Sequence, residues 1–195
     1  MSKLILVRHG ESEANRDRRY AISGDVPITP LGRRQAAQVA QQITKRFKPE
    51  RLISSDFRRA LQTSTIISAE VNLPVQVVKG LHERDMGCLK GEPFERFAEI
   101  IKEDSSYDPE RPWRWRPTGG ESFEDVRIRV TSVIEDLSQS YPTEEVVVVS
   151  HGAVMLSLWA HCTGKWGYAH HPVNCGIVVI EHEEGRLGQP FLVED

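Results

Sequence analysis

The stretch Leu4-Ile5-Leu6-Val7-Arg8-His9-Gly10 is the part of the sequence that decides the fold. Its apolar residues form a continuous run without polar alternation, which is typical of an interior strand covered by helices on both faces. A second run of valines, at residues 146–149, leads in the same way into Ser150-His151-Gly152. The sequence therefore predicts two buried strands that each end at a histidine followed by a glycine.

Helix and strand patterns alternate along the rest of the chain. The predicted elements are helix 29–48, strand 51–54, helix 57–71, strand 74–78, helix 93–104, helix 123–137, strand 146–149, helix 153–159 and strands 175–181 and 190–193. This alternation predicts the α/β fold class, as a three-layer α/β/α sandwich with a mainly parallel central sheet. We expect residues 1–195 to form a single domain with a short lid-like insertion at about 92–120.

Length, charge and cysteine content narrow the class of protein. A chain of 195 residues is long enough to bury a single core. The formal net charge of −3 gives no electrostatic reason to expect a nucleic acid or a membrane surface as the partner. The cysteines, Cys88, Cys162 and Cys175, are odd in number and far apart, which favours a reducing compartment. We therefore expect a cytoplasmic protein without a disulfide framework.

The two histidines that follow the apolar runs are the first candidate site residues. Open α/β sheets bind ligands in the crevice at the carboxyl ends of their strands. His9 and His151 both leave such an end, so they would face one cavity if their strands are neighbours. A lone histidine is more often a hydrogen-bonded core residue, but two in the same strand-His-Gly context favour a shared site.

Two adjacent arginines are an independent sign of a bound anion. Arg58 and Arg59 fall in the first turn of a predicted helix, where the positive end of the helix dipole disfavours cations. An oxyanion bound at this helix start would account for the pair, and so would a local N-cap at Asp56. Together with Arg8, these guanidinium groups suit a phosphoryl group, which they grip through paired hydrogen bonds.

Phosphoryl transfer also needs a proton donor for the leaving oxygen, because an unprotonated alkoxide leaves poorly at neutral pH. Glu83 and Asp85 are the candidates, since both lie in a glycine-bounded loop just beyond a predicted strand. A solvated salt bridge with Arg84 is the alternative interpretation of these carboxylates.

Residues 6–12, Leu-Val-Arg-His-Gly-Glu-Ser, resemble the signature of the histidine phosphatase superfamily, whose best known branch is the cofactor-dependent phosphoglycerate mutases. The resemblance covers most of the chain. Its further blocks are Asn15, residues 24–29 with Gly32, residues 54–63, residues 81–84 with Gly87 and Gly91, residues 119–122 and residues 149–152. An Arg-His-Gly triplet alone is weak evidence, but several blocks in the right order are specific.

The resemblance implies a phosphoglycerate mutase-like fold and a covalent phosphohistidine on His9, with Glu83 as the proton donor. By the family's pattern, the arginine immediately before Ala60 enters the phosphate pocket, which leaves Arg58 at the surface or behind it. The implied catalytic residues are His9, Glu83, His151, Arg8 and Arg59. The implied phosphate- and substrate-binding residues are Arg8, Asn15, Ser23, Gly24, Arg59, His151 and Gly152. We expect no cofactor and no catalytic metal, because His170 and His171 lack further ligands at zinc spacing.

Three functions remain open at this point. The first is a phosphatase that hydrolyses a small phosphorylated metabolite. A cofactor-dependent mutase would instead keep the phosphohistidine and return the group to another substrate oxygen. The mutases that this sequence resembles carry a longer insertion before residue 119, which speaks against that alternative. An inactive phospho-ligand-binding or scaffold protein is the alternative from another class.

The sequence leaves the substrate and the assembly open. Sugar phosphates, phosphoserine, phosphoglycerates and nucleotide-loop phosphates all fit the predicted phosphate pocket. The segment 109–117, which contains Trp113-Arg114-Trp115-Arg116, either covers the site and clamps the substrate or packs a loop onto the body. A homodimer through an exposed sheet edge is compatible with the predicted closing strands.

Overall fold

The computed structural model describes residues 2–166, 172–183 and 186–193. The strands are β1 (Ser2–Arg8), β2 (Arg51–Ser54), β3 (Val75–Val77), β4 (Glu145–Ser150), β5 (Ile177–Glu183) and β6 (Arg186–Val193). The helices are α1 (Glu13–Arg16), α2 (Pro30–Arg46), α3 (Arg58–Val71), α4 (Arg96–Glu103), α5 (Phe123–Ser140) and α6 (Gly152–Thr163). Every predicted element is present with shifted ends, and α1 is an additional short helix.

The strands form one sheet in the order β3-β2-β4-β1-β5-β6. β3, β2, β4 and β1 run parallel to one another, whereas β5 is antiparallel to β1 and β6 is antiparallel to β5. This arrangement confirms the predicted α/β class with a mainly parallel sheet. The register aligns Val7 with Val149 and Arg8 with Ser150, so the two strands that precede the histidines end side by side.

The central strands bury side chains on both of their faces. Leu4 and Leu6 of β1 belong to the core that α5 and α6 cover, whereas Ile5 and Val7 belong to the core that α2 and α3 cover. All of these side chains are fully buried. Because both faces are covered, the strand reads as a continuous apolar run, and the fold is the predicted three-layer sandwich.

The helix starts near the sheet's carboxyl edge are capped differently. Thr29 begins α2, and its hydroxyl oxygen accepts the N–H of Gly32. In contrast, α3 has Phe57 at its N-cap and no side-chain hydrogen bond there. The alternative in which Asp56 caps α3 is therefore wrong, because Asp56 lies one residue too early.

The three cysteines are free thiols and form no disulfide. Burial raises the pKa of Cys162 to about 11 and that of Cys175 to about 12, so both remain neutral and pack as small apolar groups.

Within the described ranges, the structure contains no helix with the length and apolar character needed to cross a bilayer.

Candidate active site

The two histidines lie together where β1 and β4 end. The N–H of His9 donates to the carbonyl of Ser150 at 3.0 Å, which continues the ladder one residue past the strands. The imidazole centroids of His9 and His151 are 5.2 Å apart, and both side chains are buried. The sheet topology therefore brings together two residues from opposite ends of the chain.

The protonation state of His9 follows from its hydrogen bonds. Nδ1 lies 2.8 Å from the carbonyl oxygen of Gly10, and Nε–H of Arg59 donates to Nε2 at 3.1 Å. Because a carbonyl can only accept and Nε–H can only donate, the proton is on Nδ1 and Nε2 carries the lone pair. Burial, together with the charges of Arg59 and Arg8, lowers the pKa of His9 well below its ordinary value. His9 is therefore a neutral imidazole with its nucleophilic nitrogen beside a cation.

Arg59 is a buried cation without a carboxylate partner within the described part of the chain. Its side chain is only 3% exposed, its Nη1 has no hydrogen-bond partner among the residues that the structure describes, and burial lowers its pKa. Such a charge is unfavourable in a protein interior unless an anion binds to it. Arg58 differs, because it is exposed and pairs with Asp25 at 3.5 Å. The structure thus places Arg59 in the cavity and Arg58 on the surface.

Arg8 reaches the same cavity from the last position of β1. Its Nη1 donates to the carbonyl of Pro172 at 2.8 Å. Burial lowers the pKa of Arg8, while the carboxylate of Glu83 acts in the opposite direction. The site therefore contains two guanidinium groups, from β1 and α3, around one neutral imidazole.

His151 lies behind His9 and is fully buried. Its Nε2 is 2.8 Å from the hydroxyl oxygen of Ser55, and that oxygen also accepts the N–H of Phe57 at 3.3 Å. The Ser55 hydroxyl hydrogen is thus available to Nε2, which would leave the imidazole proton on Nδ1. Nδ1 has no partner among the described residues. Burial, followed by the charge of Arg59, lowers the pKa of His151 well below its ordinary value.

The two candidate proton donors have different surroundings. Oε1 of Glu83 accepts the backbone N–H groups of Arg84 at 2.8 Å and Ala153 at 3.2 Å, which fixes the carboxylate at the start of α6. Asp85 instead pairs with Lys90 at 2.7 Å. Burial acts to raise the pKa of Asp85, but hydrogen bonds from Lys90 and a backbone N–H outweigh it and lower that pKa. Glu83 is therefore the better placed candidate.

Asn15 belongs to a small amide network beside His9. Its Oδ1 accepts hydrogen bonds from Ser12 and, at 3.2 Å, from Nδ2 of Asn174. Nδ2 of Asn174 also donates to the carbonyl of His9 at 3.0 Å. Asn174 carries no recognisable signal in the sequence, because it precedes the left-handed residue Cys175 (φ +61°) in a stretch without any period.

Two hydroxyl side chains within residues 54–63 support the segments that carry the two histidines. Ser55 contacts His151, and Thr63 accepts the N–H of Gly10 through its hydroxyl oxygen at 3.0 Å. Both lie on or just before α3, the helix that also supplies Arg59. The strand-to-helix segment thus supports both histidines of the site.

The glycines of the predicted binding set occupy different places. A side chain on Gly24 would come within 2.7 Å of the Phe57 ring, so the close packing of the two requires glycine. Ser23 and Gly24 line the cavity, and Oγ of Ser23 accepts the N–H of Asp25 at 3.2 Å. Gly152 is buried in the first turn of α6 and is not among the described residues that line the cavity.

The cavity has a volume of about 660 Å³, which is within the range of small-molecule sites. Its basic and acidic lining residues are Arg8, His9, Arg19, Arg59, His82, Glu83, Arg84, Asp85 and Lys90, and its aromatic lining residues are Tyr20, Phe57, Phe94, Phe97 and Phe123. His151 lies beneath this surface rather than on it. A phosphoryl group at His9 would occupy only one end of so large a space.

The insertion contributes to the cavity through its first residues. Phe94 and Phe97 line the cavity, whereas segment 109–117 supplies none of the described lining residues. Trp115 is 3% exposed, and its Nε1–H donates to Asp104 at 2.9 Å. Trp113 stacks on Trp166 with ring centroids 5.7 Å apart. The interpretation of segment 109–117 as a substrate clamp is therefore wrong for these tryptophans, which pack the loop onto the body.

Across residues 2–166, 172–183 and 186–193, no three or more His, Cys, Asp or Glu side chains are grouped so as to hold a metal ion. His170 and His171 lie outside the described residues.

Comparisons with known proteins agree with this geometry. The family model described as histidine phosphatase superfamily (branch 1) matches residues 4–190. Phosphoglycerate mutase-like protein 4 of Arabidopsis thaliana is 32% identical over 160 residues, which cover 81% of this chain and 70% of the relative. Metal-independent phosphoserine phosphatase of the same plant is 30% identical over 165 residues, covering 84% and 69%. A mycobacterial glucosyl-3-phosphoglycerate phosphatase, solved with VO3, superimposes with a TM-score of 0.81 at 28% identity, covering 97% of this chain and 96% of that one.

Proposed function

The chain belongs to the histidine phosphatase superfamily, and we propose that it is a phosphatase which hydrolyses a small phosphorylated metabolite through a phosphohistidine on His9. One observation carries the proposal: the lone-pair nitrogen of a neutral, buried imidazole lies 3.1 Å from the Nε of a buried guanidinium. That pairing suits a nucleophile waiting for an oxyanion. Phosphatase relatives, among them the phosphoserine phosphatase, support the hydrolytic assignment.

Binding is the first step of the proposed mechanism. The phosphoryl oxygens take hydrogen bonds from Arg8 and Arg59 and from Nδ1–H of His151. In doing so, Arg59 turns its Nε–H from Nε2 of His9 toward the substrate, which releases the lone pair. Asn15 adds a further donor, and Ser23 and Gly24, which line the cavity, complete the proposed binding set.

Chemistry then proceeds in two displacements at phosphorus. In the first, Glu83 enters in its protonated form; Nε2 of His9 forms a bond to phosphorus, the ester P–O bond breaks, and Glu83 gives its proton to the leaving oxygen and becomes a carboxylate. The carbonyl of Gly10 holds Nδ1–H while the ring becomes positively charged. In the second, Glu83 takes a proton from water, the water oxygen bonds to phosphorus, and the N–P bond breaks to release phosphate.

Fixed positive charge is the main source of acceleration in this scheme. Charge spreads over the equatorial oxygens in the transition state, and the buried Arg59 and the partly buried Arg8 are already in position. The proposed catalytic residues are therefore His9, Glu83, His151, Arg8 and Arg59. No step requires a metal ion, in keeping with the name of the metal-independent relative.

The second candidate function is a mutase, which the name of the phosphoglycerate mutase-like relative favours. A mutase would return the phosphoryl group from His9 to another oxygen of the substrate instead of giving it to water. Two parallel assays separate the two functions: release of inorganic phosphate, and interconversion of 2- and 3-phosphoglycerate. Interconversion faster than release would replace the phosphatase proposal, and neither reaction on any ester would favour an inactive phospho-ligand-binding protein.

Trapping the intermediate tests the mechanism directly. Turnover of a ³²P-labelled aryl phosphate is quenched in acid or in alkali, and the peptides are mapped. We expect an acid-labile, alkali-stable label on the peptide that contains His9. A label on another residue, or hydrolysis in which no label ever accumulates on His9, would count against the covalent role.

Domain organisation and cellular location are part of the same proposal. We propose that the chain forms a single domain in which residues 92–120 are a short insertion, and that it acts in the cytoplasm. The insertion supplies Phe94 and Phe97 to the cavity, and the cysteines are free thiols, as a reducing compartment would leave them.

A further inference from the structure

One part of the cavity lining consists of aromatic rings that the phosphoryl chemistry does not use. We call Tyr20, Phe94, Phe97 and Phe123 the aromatic wall. All of them line the cavity and all are only partly buried, so each keeps some ring surface accessible. Apolar surface gathered in a concave site is what a ligand's apolar part can cover with a gain in free energy.

The aromatic wall is built before any ligand arrives. The rings of Tyr20 and Phe94 pack edge to face with centroids 5.0 Å apart, and Phe97 packs edge to face on Trp115 at 5.3 Å. Trp115 is itself buried and hydrogen-bonded to Asp104. The wall therefore does not have to be ordered by the ligand, which lowers the entropic cost of binding.

Backbone hydrogen bonds tie the two segments of the aromatic wall together. The N–H of Tyr20 donates to Glu92 at 2.9 Å, and the carbonyl of Tyr20 accepts from Gly91 at 2.9 Å. Phe94 donates its N–H to Arg18 at 3.0 Å. The start of the insertion is thus fastened to the loop after α1, and these contacts hold Tyr20 and Phe94 side by side.

Most charged groups at the wall's border are already engaged within the protein. Asp85 and Lys90 form an ion pair at 2.7 Å. The guanidinium of Arg84 donates to the carbonyls of Glu121 and Trp115 and lies 4.3 Å from the centroid of Phe123. Arg19 is the exception, because among the described residues its Nη1 donates to a backbone carbonyl, that of Gly91, at 2.8 Å and to no carboxylate.

We propose that the aromatic wall selects phosphate monoesters whose leaving group carries a flat apolar ring, in preference to small polar acids such as phosphoserine or phosphoglycerate. The inference rests on the proposed phosphatase function, because the phosphoryl group must sit at His9. The ring then lies against Tyr20, Phe94 and Phe97. The size of the cavity leaves room for it beside the phosphoryl group.

The test compares esters that differ only in the ring. 2-Phenylethyl phosphate and propyl phosphate have alkoxide leaving groups of similar basicity, so a difference in kcat/KM reports binding of the ring rather than leaving-group chemistry. We expect the phenylethyl ester to be preferred by at least about tenfold, mainly through KM. O-Phosphoserine and 3-phosphoglycerate should rank with the propyl ester or below it.

Variants locate the preference on the protein. The double substitution Phe94→Ala, Phe97→Ala should reduce the ratio of the two kcat/KM values to about threefold or less. Phe191→Ala is the matched control, because Phe191 lies on β6 and is exposed away from the cavity; it should leave the ratio and both rates unchanged. Circular dichroism and the unfolding midpoint show whether each variant is folded.

Several outcomes would overturn the inference. A ratio near one, or a preference that survives both Phe substitutions in a folded protein, would remove the role of the aromatic wall. A preference for phosphoserine or phosphoglycerate that Arg19→Ala abolishes would show that the cavity selects a carboxylate instead.

A measurement of binding without turnover tests the aromatic wall separately from the proposed phosphatase function. Calorimetry with 2-phenylethylphosphonate and propylphosphonate needs no turnover and should give the same preference of about tenfold. If no ester is hydrolysed while the ring-bearing phosphonate binds more tightly, the phosphatase proposal fails and the aromatic wall stands. Equal affinities would reject the wall whatever the rate of hydrolysis.

Discussion

The ends of β1 and β4 carry nearly the same sequence, strand-His-Gly, and yet the two histidines have different positions. His9 lines the cavity, and both of its ring nitrogens are engaged, by Gly10 and Arg59. His151 lies underneath, with one nitrogen at Ser55 and the other without a partner among the described residues. The difference shows that a shared sequence context predicts proximity, whereas neighbouring groups give the two imidazoles different surroundings. In the proposed mechanism only His9 attacks phosphorus.

Substituting the two histidines tests this difference with the largest expected effect. His9→Ala should lower kcat by at least about 10⁴-fold, because the nucleophile is gone. His151→Ala should lower it by about 10²- to 10³-fold, as expected for the loss of one transition-state hydrogen bond. Phosphate release is measured for both, with the unfolding midpoint as a check on folding. Equal losses, or a covalent label that persists in His9→Ala, would show that the assigned roles are wrong.

The adjacent arginines provide a control within one helix turn. Arg59→Ala should reduce kcat/KM by about 10²- to 10³-fold, because a buried donor to the phosphoryl group is removed. Arg58→Ala should change it by less than about threefold, since Arg58 is exposed and pairs only with Asp25 at 3.5 Å. A large loss in the Arg58 variant would mean that the helix start binds the substrate in another way.

Ser55 is expected to act through His151 as a positioning residue. Ser55→Ala removes the hydroxyl from Nε2 of His151, so the ring proton is no longer directed to Nδ1. We expect a fall of about tenfold in kcat with a smaller change in KM, and a changed pH profile. Ser55→Thr should restore part of the activity. Ser64→Ala, which removes a buried hydroxyl on α3, is the control for stability and should not alter kcat.

Both histidines should lower the stability of the folded protein at acidic pH, and by the same mechanism. Burial lowers the pKa of each below its ordinary value, whereas in the unfolded chain each regains a pKa of about 6.5. Below that pH the unfolded state binds more protons, so stability is complete above about pH 6.5 and falls as the pH drops.

Urea titrations at pH 7.0 and pH 5.5 measure this effect. Wild type should lose about 1.4 kcal/mol of unfolding free energy per buried histidine between the two pH values, beyond what other groups contribute. His9→Gln and His151→Gln should each remove a similar part of that loss. If either variant keeps the full pH dependence, its histidine is not held neutral by the fold.

The sequence was informative where local pattern and burial coincide. The runs at β1 and β4 are continuous and apolar because helices cover both faces of the sheet, so their strands could be predicted without an alignment. Neither run predicts that β4 lies beside β1, because strand order depends on how the intervening helices pack. The arginine pair was ambiguous from the helix dipole alone, and only the family's pattern singled out Arg59.

Residues that act through tertiary contacts gave little or no local signal. Asn174 reaches the carbonyl of His9 from a loop without periodicity. Segment 109–117, with Trp113 and Trp115, was a candidate for substrate contact, but the ring of Trp115 is buried against Phe97. Phe94 and Phe97 line the cavity because the backbone bonds of residues 18–20 hold their segment there, which no short-range pattern predicts.

The start of α2 lies against the segment that carries His9 at unusually short range. A Cβ on Gly10 would lie 2.4 Å from the carbonyl oxygen of Gly32, and a Cβ on Gly32 would lie 2.2 Å from that of Glu11. Thr29 also donates its backbone N–H to Glu11 at 2.8 Å. Because the two backbone segments are in direct contact, the segment that carries His9 cannot move unless the start of α2 moves with it. Heat inactivation and global melting should therefore coincide, which makes residual turnover a direct gauge of the folded fraction.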